Sequence, residues 1–147
     1  MADGELSLHD NTNVALLEQM LGELDQVDLQ TSHVVHGGLC ARTIRIPAGA
    51  VLTGALTNMD NVCVVFGDIT VTTDTGPERL AGYHVLPARA GHKRAGYAHA
   101  ETWWTTIWKT ELTDIAAIED EMTDESDKLQ TRTLSIEHSR AAGALEE

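Results

Sequence analysis

The chain predicts an all-β sandwich or barrel with a short helix before it and another after it. Three observations carry that prediction. Between about residues 32 and 109, short apolar and β-branched runs alternate with turn signals at close intervals, the pattern of a sandwich or barrel. No helical periodicity separates those runs, which excludes a parallel α/β sheet. The run TWWTTIWK (102–109) concentrates aromatic and β-branched side chains and is the strongest strand.

Residues 1–12 are polar. Asn13 then reads as an N-cap before VALLEQMLGEL, in which Val14, Leu17, Leu21 and Leu24 fall on one helical face. Gly22 weakens the last turn. A helix this short is marginal in water, so its stripe must dock on its own sheet or on a neighbouring subunit. RTIRI (42–46) is a strand with Ile44 and Ile46 on one face, and PAG (47–49) is a turn. NVCVVFGDITVTTD (61–74) reads as two strands joined by a hairpin at Gly67-Asp68. DTGPE (74–78) is a further turn, and HVLPARAGHK (84–93) leaves a short strand for a Pro/Gly loop.

In the last strand Trp104 and Trp108 share a face, while Trp103 lies with Ile107 on the other. Core packing accounts for most of this aromatic surface; at least one tryptophan is expected to meet a helix, another subunit or a ligand. Thr113 then caps a second helix, DIAAIEDEM, with Ile115, Ile118 and Met122 on one side. LSI (134–136) reads as a short edge strand before a weakly structured tail. The chain thus divides into an N-terminal arm and amphipathic helix (1–31), a β-barrel (32–110), and a C-terminal helix with an acidic tail (111–147).

A length of 147 residues supports one domain with a real core, and 42% apolar with 22% charged residues is the balance of a soluble globular protein. No run approaches the roughly 18 apolar residues of a membrane span, and MADGELSLHD lacks the features of a secretory signal. A cytosolic setting, or a particle assembled in one, is expected. The net charge of −13 is uneven. Residues 1–41 and 110–127 carry many acids and no Lys or Arg, which disfavours contact with nucleic-acid phosphates. Cys40 and Cys63 are too few for a disulfide framework, and Cys63, within VCVVF, reads as a small buried hydrophobe.

The segment PAGAVLTGALTNMDNVCVVFG (47–67) keeps the glycine frame of a first cupin motif. Counted from Gly49, the two histidine positions fall on Ala55 and Thr57, the glutamate position on Asn61, and Gly67 arrives one residue early. In the second motif, counted from Gly91, the histidine position is Arg94. More broadly, VHGGLCARTIRIPAGAVLTG, DITVTTDTG, GHKRAGYAHAETWWTTIW and the helix ending IEDEM resemble a group of small phage-encoded cupin-like proteins, over roughly residues 33–122. That resemblance implies a cupin-like jelly-roll sandwich or barrel whose metal ligands are replaced by Ala55, Thr57, Asn61 and Arg94, with no cofactor. It further implies a non-enzymatic bacteriophage virion protein, a capsid decoration or cement module, located in the virion and, during assembly, in the host cytoplasm. Its expected partners are itself, as a homo-oligomer, and other phage structural proteins such as the capsid shell, with no nucleic acid or membrane. A metal-dependent isomerase- or dioxygenase-like cupin enzyme and a small-molecule-binding cupin module are the alternatives.

The remaining candidates carry less chemistry. His33 and His36 in a strand point to opposite faces and do not share a metal. His84, His92 and His99 could cluster near the Pro/Gly loop, and His99 with Glu101 is the best acid/base pair, without a nucleophile. Arg89, Lys93 and Arg94 form the only basic cluster, and pairing with protein carboxylates is the expectation. The interface candidates are Val14, Leu17, Leu21, Leu24, Arg89, Lys93, Arg94, Trp104 and Trp108; no catalytic residue is assigned.

Overall fold

The computed structural model describes residues 11–24 and 26–129. It contains helix α1 (Asn11–Leu21), strands β1 (Ser32–His36), β2 (Leu39–Ile46), β3 (Val51–Thr53), β4 (Asn61–Thr73), β5 (Gly76–Ala88), β6 (Ala95–Ala98) and β7 (Thr102–Lys109), helix α2 (Ile115–Met122), and a closing 3-10 turn. The strands form one antiparallel sheet in the order β1-β2-β7-β4-β6-β3, with β5 on β4.

The sheet is simpler than seven strands suggest. β2 and β3 together run antiparallel beside β6 and β7, with Ile46 opposite Thr102 and Val51 opposite Tyr97. Hydrogen bonds from Gly49 N to Ala98 O (2.7 Å) and from Ala98 N to Ala50 O (3.0 Å) carry the pairing across the gap. β4 spans both pieces, pairing β7 through residues 62–66 and β6 through residues 69–71. At the junction the amides of His99 and Ala100 both donate to Asp68 O, at 2.8 and 3.3 Å. Two residues facing one is a bulge, and a bulge bends its strand. The sheet curls along this line into a half-barrel, in keeping with the all-β barrel that the sequence predicts.

Gly67 sits on the bend and corrects the expected hairpin. Its φ of +147° lies where side chains are rare, and a Cβ there would stand 2.5 Å from Thr102 Oγ1 and 2.6 Å from Glu101 O. The glycine serves a close strand approach, and β4 runs on through it. The reversal comes instead at Asp74-Thr75, where Thr73 pairs Gly76.

The concave face collects Ile46, Val65, Ile69, Val71, Leu80 and Ala98. A second cluster joins Cys40 and Trp108 to Ile118 and Met122, which seats α2 on the sheet. Asp114, and not Thr113, caps α2, accepting from Ala117 N at 3.0 Å. Helix α1 starts at Asn11, so Asn13 lies within its first turn. Its dock is this same barrel. Val14 is buried, Glu18 Oε2 accepts from Thr53 Oγ1 (3.2 Å), and Asn11 exchanges bonds with Gly91 O and Lys93 N at 2.8 and 3.0 Å. Leu17 and Leu21 are half-buried, while Leu24 lies past the helix end and is exposed. No helix among the described residues is long and apolar enough to cross a membrane. The expected strand at 134–136, residues 1–10 and the C-terminal tail lie outside the described residues.

Candidate functional site

Strand alternation fixes what the half-barrel encloses. Counting inward positions from Ile46 gives Ile44 and Arg42 on β2; from Val65, Cys63 and Asn61 on β4; and Trp104 and Thr106 on β7. These side chains line a cavity of about 140 Å³, together with Leu52, Ile69, Val71, His92 and Arg94. Its mouth is framed by two loops. Gly54 N donates to Arg94 O (2.9 Å), Gly91 N to Thr57 O (2.9 Å), and Ala90 N to Asp60 Oδ1 (2.8 Å). The four positions singled out by the motif frame, Ala55, Thr57, Asn61 and Arg94, all line this one cavity.

The donor set there does not fit a resident transition metal. Ala55 offers no donor, Thr57 and Asn61 offer neutral oxygens, and Arg94 is a permanent cation. Asn61 is also engaged locally, since its Nδ2 donates to Met59 O (3.2 Å) and its Oδ1 accepts from Cys63 Sγ (3.4 Å). Among the described residues no three His, Cys, Asp or Glu side chains converge as a metal cluster.

The charges of the cavity run against those of the chain. Three arginines and a histidine line it, and no described Asp or Glu does. Two of the arginines already hold a carboxylate elsewhere. Arg89 grips Asp74 with Nε at 3.0 Å and Nη2 at 2.8 Å. Arg42 Nε lies 3.3 Å from Glu119 Oε2, which His33 Nε2 also meets at 3.2 Å. Glu119 is only 1% exposed. Burial lowers the Arg42 guanidinium from its ordinary value, and the neighbouring Glu119 opposes that shift.

Arg94 is different. Its guanidinium lies over the Trp104 ring, 5.7 Å from the centroid, and makes no ion pair or hydrogen bond with the described residues. His92 is also incompletely used. Its side chain is 8% exposed, Nδ1 lies 3.1 Å from Asp74 Oδ1, and Nε2 is buried without a partner among the described residues. Burial pushes the Cys63 thiol up, with Arg94 pulling the other way, so the inward cysteine is held as a thiol. Cys40 and Cys63 are both free and buried.

The expected basic cluster is thus dispersed. Lys93 turns away from Arg94, and its side chain is 3% exposed between Glu18 (2.9 Å) and Glu125 (2.7 Å). Paired and buried, Lys93 fastens α1 to the loop and to the C-terminal turn. Trp108 is 2% exposed in the α2 cluster and Trp104 walls the cavity, so neither presents a contact surface. The outward tryptophan is Trp103, stacked on Phe66 at 5.9 Å with Arg45 over its ring. His33 turns to Glu119 while His36 is exposed, as strand geometry requires. The other histidines do not cluster: His84 meets Ala81 O, His99 meets Thr70 Oγ1, and Glu101 takes Arg45. Arg42 and Glu119 were missed as site residues, and His92 was weighed only as one of a histidine cluster that does not form. The signals for Arg42 and Glu119 were a charge on the apolar face of RTIRI and a carboxylate beside Ile118 in α2.

No family model matches the chain, and no curated protein matches it. Solved structures do. The chain is similar to a cupin superfamily protein from Desulfitobacterium hafniense, at 13% identity and a TM-score of 0.46, over 60% of this chain and 84% of that one. A cupin-2 domain containing protein from Shewanella frigidimarina matches at 10% identity and 0.46, over 63% and 91%. A cupin domain from Bordetella pertussis matches at 16% identity and 0.43, over 54% and 91%.

Proposed function

We propose that this chain is a non-catalytic binding module that holds a small organic molecule inside its half-barrel. The observation that supports this reading is a largely apolar cavity lined by the Arg94 guanidinium, which makes no hydrogen bond or ion pair with the described residues. Catalysis has less support, because the inward thiol is held protonated and the Asn61 amide is already bonded. The test is thermal melting with a panel of small organic acids, alcohols and amides. Some members should raise the melting temperature with concentration, and Ala55→Trp, which fills the mouth, should abolish the response. Flat melting across the panel, or equal shifts in Ala55→Trp, would contradict the reading.

A second observation supports a structural role, the one the phage resemblance implies. The convex face presents Val34, Val62, Phe66, Tyr83, Val85 and Trp103 from four strands, with Phe66 53% and Tyr83 67% exposed. A contiguous apolar patch on a soluble protein marks a contact surface. The occupant that fits is a second copy of this chain. At a net charge of −13, two copies repel except where carboxylates are neutralised, and the rim carboxylates Asp68 and Glu101 are held by Arg79 and Arg45. On this reading the chain is a homo-oligomer built into a virion, as decoration or cement. Light scattering at micromolar concentration should show at least a dimer, and Phe66→Glu with Tyr83→Glu should give a monomer of unchanged melting temperature. A monomeric wild type would overturn this second reading.

A further inference from the structure

We infer that two copies of this chain pair edge to edge along β5, extending the sheet across a two-fold axis. This rests on the structural reading above and specifies how the copies meet. One side of β5 is laddered to β4 along its whole length, and no described strand pairs the other. An edge of this kind carries backbone donors and acceptors that a further strand can take up.

Which residues turn outward follows from β4. Asp68 O accepts from the amides of His99 and Ala100, so the main chain of Asp68 faces the β6–β7 side and not β5. Asp68 stands opposite Ala81 in the register, and directions alternate along an antiparallel pair, so the odd-numbered residues of β5 point away from β4. Two observations agree with this. Pro77 and Pro87, which have no N–H to give to a ladder, are both in the outward set. Ala81 O is free of β4 and is met by His84 Nε2 at 2.8 Å. Between Gly82, whose φ is +88°, and Pro87, the outward main-chain groups are those of Tyr83 and Val85.

Charge and symmetry make a second copy the occupant. The chain holds 23 acids and none of them falls in residues 79–100, so two molecules of net charge −13 approach most easily along this segment. Asp68, one strand in from the edge, is neutralised by Arg79 at 2.6 and 2.8 Å. An antiparallel two-fold centred on His84 sets Tyr83 opposite Val85 of the second copy, and Val85 opposite Tyr83. Each pair exchanges two backbone hydrogen bonds, so no donor or acceptor of either residue is left over. Both side chains stand on the convex face, 67% and 56% exposed, so each pair also brings an aromatic ring against a β-branched side chain. Ala81 O, next along the edge, would meet a proline without an N–H, and His84 already satisfies it.

The register is tested by oxidative cross-linking of the full chain. At a two-fold centred on His84 the two Cα atoms of that residue are about 4.5 Å apart, within the span of a disulfide. The two copies of Ala81 are six residues apart along the paired strands, about 20 Å. Under mild oxidation His84→Cys should form a covalent dimer at least tenfold faster than Ala81→Cys, and equal rates would overturn the pairing. Val85→Pro removes one outward N–H and leaves the β4 ladder intact, so light scattering should give a monomer that still melts cooperatively. Phe66→Glu, on β4, should remain a dimer. A dimeric Val85→Pro with a monomeric Phe66→Glu would overturn edge pairing and leave contact through the convex face standing. A monomeric wild type in which His84→Cys does not cross-link would bring down both. Should Val85→Pro fail to fold, the two cysteine variants, each with the β4 ladder unaltered, still decide the question.

Discussion

Gly67→Val is expected to leave little folded protein at ambient temperature. The new Cβ would meet Thr102 Oγ1 at 2.5 Å, Glu101 O at 2.6 Å and Thr102 Cα at 2.7 Å. Two of those atoms are backbone, so no rotamer change clears them. The hydroxyl is fixed as well, accepting from Asp68 N (3.1 Å) and donating toward Ala100 O (2.9 Å). A β-branched residue at φ +147° adds backbone strain of about 1–3 kcal/mol, and overpacking adds roughly 1–3 kcal/mol more. Together these approach the whole stability of a small domain, about 5–15 kcal/mol. Gly82 is the internal control. It faces Gly67 across the β4–β5 ladder and has φ +88°, but nothing stands within 4 Å of its would-be Cβ. Gly82→Val should therefore carry the backbone strain alone. Urea midpoints compare the two, and equal losses would show that the bend does not depend on close approach at Gly67.

Arg42→Met is the second large effect. Glu119 is buried on the inner side of α2, and the substitution removes the guanidinium that faces it while His33 stays at 3.2 Å. Breaking a buried ion pair from one side costs about 3–5 kcal/mol, because the other charge stays out of water. The partner substitution Glu119→Gln in the same chain should recover most of that loss, since the strandable charge is gone. A double-mutant cycle by chemical denaturation measures the coupling. A loss below about 1 kcal/mol for Arg42→Met, the scale of an exposed pair, would show that Glu119 reaches water. The pair also matters to the cavity: while Glu119 holds Arg42, Arg94 is the lining cation left for a ligand.

The sheet could be read from TWWTTIWK because period-two alternation decides which tryptophan turns inward, and Trp104 and Trp103 separate as the pattern requires. The same alternation put Arg42 on the inner face, had the charge in RTIRI been followed. Gly67-Asp68 misled for a physical reason: a positive-φ glycine serves a tight turn and a close strand approach equally well. Only the opposing strand, more than thirty residues on, distinguishes them. Arg94 was placed correctly by motif spacing and its pairing was misjudged. Which arginine keeps a free guanidinium depends on where the carboxylates land. Asp74 reaches Arg89 across a hairpin, and Glu18 reaches Lys93 from a helix at the other end of the chain.

The three tryptophans report three different places: Trp103 on the convex face, Trp104 in the cavity and Trp108 in the α2 cluster. Their indole N–H resonances, assigned by single Trp→Phe substitutions, can be followed while 3-methylbutanoate, a small organic acid of the panel, is added to the full chain. A ligand seated inside the half-barrel should move the Trp104 resonance in a saturable way and leave Trp103 where it was. Movement of Trp103 alone, or of none of the three, would contradict an interior site.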